Sequence, residues 1–203
     1  MPTIDYCLKV GISSREGLWA DFTGDNEQLV KLQELSSIYR FDTWNQALNK
    51  INIRNEKLAR SLGEEFKRIR GAKHILFPET TGTLDKLKGR YKLGLITNGA
   101  PDLQWKKING GNLQHYFDYI AVSGEHGFAK PDGRLFDIAI KGLKSTATGS
   151  IMVGDSLDTD IKGGLVYGLK TIWINRNGEG IDMVKPDYEV TNLSGILKII
   201  PGL

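Results

Sequence analysis

Hydrophobic and polar positions follow three different rhythms along the chain. Over residues 3–12 they alternate, with Ile4, Tyr6, Leu8, Val10 and Ile12 on one side and Asp5, Cys7, Lys9 and Gly11 on the other. A period of two predicts a half-buried strand, with the start of a helix as the alternative. From residue 14 to about 70 the spacing becomes three and four. Leu29, Leu32, Leu35, Ile38 and Tyr39 make one amphipathic stripe, and Trp44, Leu48, Ile51, Leu58, Leu62, Phe66 and Ile69 continue the pattern. Gly63 and Gly71 are expected to break or end helices there. The run Lys67-Arg68-Ile69-Arg70 is expected to be a solvated helix end. This stretch reads as a small helical bundle.

From residue 75 short apolar runs alternate with helical segments. Strands are predicted over 92–97, 119–123, 151–153 and 171–175, with an edge strand at 188–190. Helices are predicted over 80–88, from 101 toward 109, over 132–143, after residue 156 to about 168, and over 193–200. Strand and helix in alternation imply an α/β fold, a parallel sheet with helices on both faces. The chain is thus divided into a possible strand of unassigned placement (1–13), a helical region (14–72) and an α/β core (73–203).

Composition narrows the function classes. The chain has 203 residues, 40% of them hydrophobic and 25% charged, enough to build a core. A net charge of +3 is too slight to argue for a nucleic-acid partner. Cys7 is the one cysteine, so no internal disulfide forms and a reducing compartment is expected. No apolar run approaches a membrane span, and the first residues lack the pattern of a secretion signal. A cytoplasmic protein without membrane association is expected.

The chemistry concentrates at Ile151-Met152-Val153-Gly154-Asp155-Ser156-Leu157-Asp158-Thr159-Asp160. An apolar strand, buried on both faces, would lead through Gly154 into a turn rich in carboxylates. Such a turn lies where open α/β sheets bind ligands. Asp155, Asp158 and Asp160 repel one another unless a cation sits among them, and Mg2+ suits such oxygen donors. The alternative is an ordinary capped turn. Two further strand ends bear on the choice. Thr97 and Asn98 follow one strand, and Gly99 and Ala100 offer backbone N–H groups at a helix start, a ready anion site. Lys130 follows another strand, just before Pro131, with Asp132 at the helix start. A hydroxyl, an ammonium and a carboxylate cluster along one sheet edge suit metal-dependent phosphoryl transfer.

Leu95-Ile96-Thr97-Asn98-Gly99, then Ala129-Lys130-Pro131-Asp132, then Val153-Gly154-Asp155-Ser156 with Asp160 resemble motifs II, III and IV of the haloacid dehalogenase (HAD) superfamily. Leu76-Phe77-Pro78 and Tyr116-Phe117-Asp118 are similar to its phosphatase branch, which carries a helical cap. The resemblance implies a Rossmann-like core with a small helical cap domain over 14–72, and Mg2+-dependent hydrolysis of a small phosphorylated metabolite. It implies that Thr97 hydrogen-bonds the transferred phosphoryl group, with Asn98 and Gly99 beside it. Lys130 would stabilise phosphate and nucleophile. Asp155 would ligate Mg2+, and Asp160 would support the metal or Lys130.

The family's first motif, a strand ending in Asp-x-Asp-x-Thr that carries the nucleophile and the general acid/base, has no counterpart. The nearest match is Trp19-Ala20-Asp21-Phe22-Thr23, with tryptophan at the nucleophile's place and Asp21 expected to be a turn or cap residue. Two accounts fit the gap: the strand was carried upstream in an ancestor, or catalysis was lost while binding was kept. The alternative function is therefore a non-catalytic phosphate- or Mg2+-binding regulator on the same fold. A dehalogenase is a weaker third reading, which would need the same missing aspartate. Of the remaining candidates, His126 is expected near the site and Arg176 in solvent.

Overall fold

A computed structural model of the chain describes residues 2–180 and 183–200. The elements run in the order α1 (Pro2–Val10), α2 (Glu27–Lys50), α3 (Glu56–Ala72), α4 (Thr80–Leu87), β1 (Gly94–Thr97), α5 (Pro101–Gly110), β2 (Tyr119–Val122), α6 (Ser123–His126), α7 (Gly133–Gly142), β3 (Ile151–Gly154), α8 (Lys162–Tyr167), β4 (Lys170–Ile174), β5 (Tyr188–Val190) and α9 (Ile196–Ile199). The chain divides into two compact units. One comprises Met1–Ile75, Asn98–Leu113 and Val122–Gly127; the other comprises Leu76–Thr97, Gln114–Ala121 and Phe128–Leu203.

In the first unit, the strand predicted over residues 3–12 is instead helix α1. The alternating run also contains a pair four apart, Tyr6 and Val10, which are 9% and 0% exposed, whereas Ile4 and Leu8 face solvent. A helix therefore buries half of the apolar positions on one face without needing a partner strand. Gly11, at φ +69°, ends it, and the Ile12 N–H turns back to the Cys7 carbonyl. Helices α2 and α3 start at Asn26 and Asn55, whose side chains accept from the N–H groups of Gln28 and Leu58. Gly63 does not break α3. It lies within the helix, where a Cβ would stand 3.3 Å from the Trp44 ring of α2, so a small residue allows close approach. Gly71, by contrast, is the last residue but one of α3 and lies at its end, as expected. The basic run is not a bare solvated end, because Lys67 pairs with Asp21, Arg68 pairs with Glu65, and Arg70 stacks over Trp19. Tyr6, Val10, Ile12, Trp19, Phe22, Leu29 and Leu103 form this unit's core.

In the second unit the strands form two separate ladders. One joins β1 and β2; the other has the order β3-β4-β5, all parallel, with Ile151 opposite Lys170 and Ile172 opposite Tyr188. Helices cover both faces of β3. Ile151 and Val153 pack with Leu87 of α4, Ile172 and Ile196 of α9, while Met152 packs with Phe136 of α7 and Leu169. This is the Rossmann-like layering expected of the core. Ile96 of β1 joins the same cluster as Met152 and Phe136, yet no ladder hydrogen bonds link β1 to β3 among the described residues. Each of these strands ends a ladder. That is why Ile151 and Val153, expected to be buried on both faces, are only half-buried. No helix among the described residues is long and apolar enough to cross a membrane.

Candidate functional site

In the second unit the end of β1 and the turn after β3 are joined by one side chain. The Lys130 ammonium donates to the Ile96 carbonyl at 2.9 Å and lies 2.7 Å from Asp160 Oδ1. Lys130 and Asp160 side chains are 10% and 6% exposed, so this is a buried pair. The contact with Oδ1 is an ion pair without hydrogen-bond alignment. Asp160 Oδ2 accepts from the Ser156 N–H at 3.2 Å. A π-helical turn, Leu157–Ile161, brings Asp160 back over the strand end. A Cβ on Gly154 would overlap its carboxylate, which explains the glycine there.

Asp155, one residue beyond β3, is exposed. Its backbone carbonyl accepts from the indole of Trp173, which is 1% exposed and anchors the turn to β4. Ser156 caps the following turn by accepting from the Thr159 N–H at 3.3 Å. Thr97 is the last residue of β1 and is half-buried. The second unit thus holds Thr97, Lys130, Asp155 and Asp160 at the exits of its strands. Asp132 caps α7 through the Arg134 N–H. Arg176 is exposed, as expected, and there its guanidinium pairs with Glu79 at 2.7 Å and stacks over Phe77.

Asn98 and Gly99 belong to the first unit. The start of α5, expected as an anion site, is engaged by the protein itself. The Gly99 N–H donates to Ser123 Oγ at 2.9 Å, and the Glu16 carboxylate lies so close to the turn that a Cβ on Gly99 would stand 2.5 Å from its Oε1. Glu16 was not among the residues singled out from sequence. Ser13 and Glu16 do have the spacing of a capping box, and the Ser13 N–H does donate to Glu16 Oε2 at 3.0 Å. That signal reports a local turn, not burial at a distant helix start.

The near match to the family's first motif carries no nucleophile. Trp19 is buried, with the Arg70 guanidinium 4.7 Å and the Lys107 ammonium 5.4 Å from its ring. Asp21 is no simple turn or cap residue: it pairs with Lys67 and with Lys106 at 2.8 Å. Burial pushes its carboxyl up, but Lys106 and Lys67 outweigh that and hold it below the usual carboxylate range.

The metal chemistry open to the second unit is oxygen chemistry. No cluster of three or more His, Cys, Asp and Glu side chains suited to a metal exists among the described residues. Asp155, exposed, and Asp160, buried, are oxygen donors on the same turn, the kind of ligand Mg2+ takes one or two of while water and phosphate oxygens fill the rest of its octahedron.

The haloacid dehalogenase-like hydrolase family model matches residues 16–174. The chain belongs to this family. Among its HAD relatives, a phosphoserine phosphatase of Thermus thermophilus is 33% identical over 95% of this chain and 76% of its own length. The pyrimidine 5'-nucleotidase YjjG of Escherichia coli is 30% identical over 90% of this chain and 77% of its own. The crystal structure of a 2-haloacid dehalogenase from Pseudomonas syringae superposes with a TM-score of 0.62 at 26% identity, covering 98% of this chain and 88% of that one. A magnesium-bound HAD hydrolase of Bacillus subtilis, YfnB, gives 0.68 at 24% identity, covering 97% and 81%, a likeness of fold.

Proposed function

We propose that Thr97, Lys130, Asp155 and Asp160 form the phosphoryl site of a Mg2+-dependent phosphomonoester hydrolase of the HAD type, selecting a small phosphorylated metabolite. The observation that carries this reading is the Lys130 ammonium, held between the Ile96 carbonyl and Asp160 at the strand exits. A lysine fixed by a buried carboxylate neutralises phosphate charge without reorganising when the ligand arrives. Thr97 donates its hydroxyl to a phosphate oxygen, Asn98 and Gly99 shape the turn beside it, and Asp155 supplies the first metal carboxylate, with Asp160 behind it. Mg2+, when bound, withdraws charge from the phosphate oxygens and fixes their orientation. The phosphatase relatives support the substrate class.

The attack step needs an oxygen nucleophile, and the motif that supplies it in the family is missing. Trp19 stands in its nearest match and Asp21 is tied to two lysines. Phosphate and Mg2+ binding is the half of the reaction that the residues present account for; that half alone, with turnover at background, is what the regulatory alternative on the same fold would show. Calorimetry with inorganic phosphate and MgCl2, paired with phosphate release from an aryl phosphate, tests both statements. Mg2+-dependent phosphate binding that Asp155→Ala removes, without turnover, is the expected result. Absence of binding ends the site assignment. Turnover well above background that Asp155→Ala abolishes restores a catalytic reading.

A further inference from the structure

Within the first unit, Glu16 is a buried carboxylate that no part of the phosphate site uses. It is 8% exposed. Its Oε2 accepts from the Ser13 N–H at 3.0 Å and its Oε1 from the Gln104 side-chain amide at 3.1 Å. Gln104 Oε1 in turn faces the Lys107 ammonium at 3.5 Å. Every named neighbour is a donor, so the pocket is shaped for the ionised, acceptor-only carboxylate; a protonated one would aim its O–H at another donor.

The carboxylate also fits tightly against the turn that follows β1. A Cβ on Gly99 would stand 2.5 Å from Glu16 Oε1, and Gly99 has φ +135°, a region that favours glycine. Ser123 holds the other side of this turn, accepting from the Gly99 N–H and donating to the Val10 carbonyl at 2.5 Å. The turn is thus clamped between a hydroxyl fixed by α1 and a carboxylate fixed by the 13–16 turn and α5.

We propose that Glu16, in its ionised form, is a positioning residue that clamps the 98–100 turn, whose Asn98 and Gly99 the function proposed above assigns to phosphate. Its phosphate arm rests on the function proposed above, whereas the clamp itself does not. The charged and titratable groups around the carboxylate are Lys107 of α5 and Cys7 of α1, with Arg70 of α3 acting on Lys107. Tyr39 of α2 lies against Gly17, its hydroxyl on the Ser14 carbonyl, and Arg15 precedes Glu16 in its own turn. Burial pushes the Glu16 carboxyl above the ordinary glutamate value, against the Ser13 amide, Lys107, the Gln104 side chain and the Ala100 amide, which favour the ion. The ion is therefore kept at a global cost for a local geometry, as strained functional sites often are.

That opposition gives a test on the full chain. Amide NMR of the wild type over a pH series is expected to show the Gly99 and Ala100 signals titrating together, with a midpoint above that of an exposed glutamate. Glu16→Gln is expected to abolish that titration, which separates it from the histidines. At neutral pH the same variant is expected to unfold no earlier than the wild type. It should nonetheless bind inorganic phosphate, with MgCl2 present, about tenfold more weakly, the loss of one charged hydrogen bond's worth of organisation. Lowering the pH should bring the wild type toward the variant. Amides that do not titrate, or that titrate unchanged in Glu16→Gln, overturn the clamp. Stability and phosphate affinity falling together reduce Glu16 to a packing residue and overturn its positioning role. If the wild type binds no phosphate, the function proposed above fails and the amide titration alone decides the clamp.

Discussion

The exits of β1 and β3 are built from similar local sequence, a strand, a glycine and a helical turn, yet they end in opposite states. After β1, the Gly99 amide is taken by Ser123, the Glu16 carboxylate lies against Gly99, and Pro101 has no N–H to offer. A protein carboxylate is enclosed there. After β3, the Ser156 amide goes to Asp160 and the Thr159 amide to Ser156, and the Asp155 carboxylate is left facing solvent. One exit has satisfied its own electrostatics. The other presents a carboxylate to solvent. An amide-rich helix start is thus not a binding site until the fold has shown what already occupies it.

The contrast is broken most severely at Lys130. Lys130→Met leaves Asp160, 6% exposed, as an unpaired buried charge at the open exit, and a loss of about 3–5 kcal/mol in chemical denaturation is expected. A loss below about 1 kcal/mol would mean that Asp160 is wetter than its enclosure implies. At the closed exit, Gly99→Ala forces a Cβ into Glu16 and Gln104 at φ +135°, and a destabilisation of about 1–3 kcal/mol is expected in thermal unfolding. Asp155→Asn separates binding from folding: Mg2+ affinity by calorimetry is expected to fall about 10–100-fold, while stability stays within about 0.5 kcal/mol because the side chain is exposed. Ser156→Ala removes the cap on Thr159 and should cost about 1 kcal/mol.

The smallest effect is in the pH dependence of stability. The folded value of Glu16 is raised by burial, so its favourable contribution is complete below the ordinary glutamate value and is lost as pH rises through the raised one. Glu16→Gln cannot ionise and escapes that loss. Its stability relative to wild type should therefore increase with pH across that interval, read from denaturation midpoints. A difference independent of pH would show that the carboxylate does not titrate differently in the fold.

Much of the α/β part of the chain was legible from residues alone. The strands near Thr97, Asp155 and Asn175 and the helices capped by Asp132 or opened by Pro101 follow from local patterns of apolar spacing, glycine and capping side chains. The family motifs named Thr97, Asn98, Gly99, Lys130, Asp155 and Asp160, and the structure sets Lys130 against Asp160. The first ten residues misled because alternation of apolar residues also contains the four-residue spacing of Tyr6 and Val10, and only the available packing partner chooses between the two. Gly63 misled because glycine in a helix can serve close packing rather than a break. The burial of Glu16 was invisible because Gln104, which donates to it, and Gly99, which it lies against, are far along the chain.

What the sequence determined by itself was the family, the order of elements and the chemical kinds of side chain at each strand exit, since these depend on short-range pattern and on a few residues in fixed order. What only the tertiary structure decided was occupancy. It placed Glu16 on the Gln104 side chain of α5 and Lys130 on Asp160, ended the β1 and β3 ladders apart, and left Asp155 in solvent. The reason is physical: burial and hydrogen-bond satisfaction are properties of groups brought together from distant parts of the chain, and no local window contains both partners.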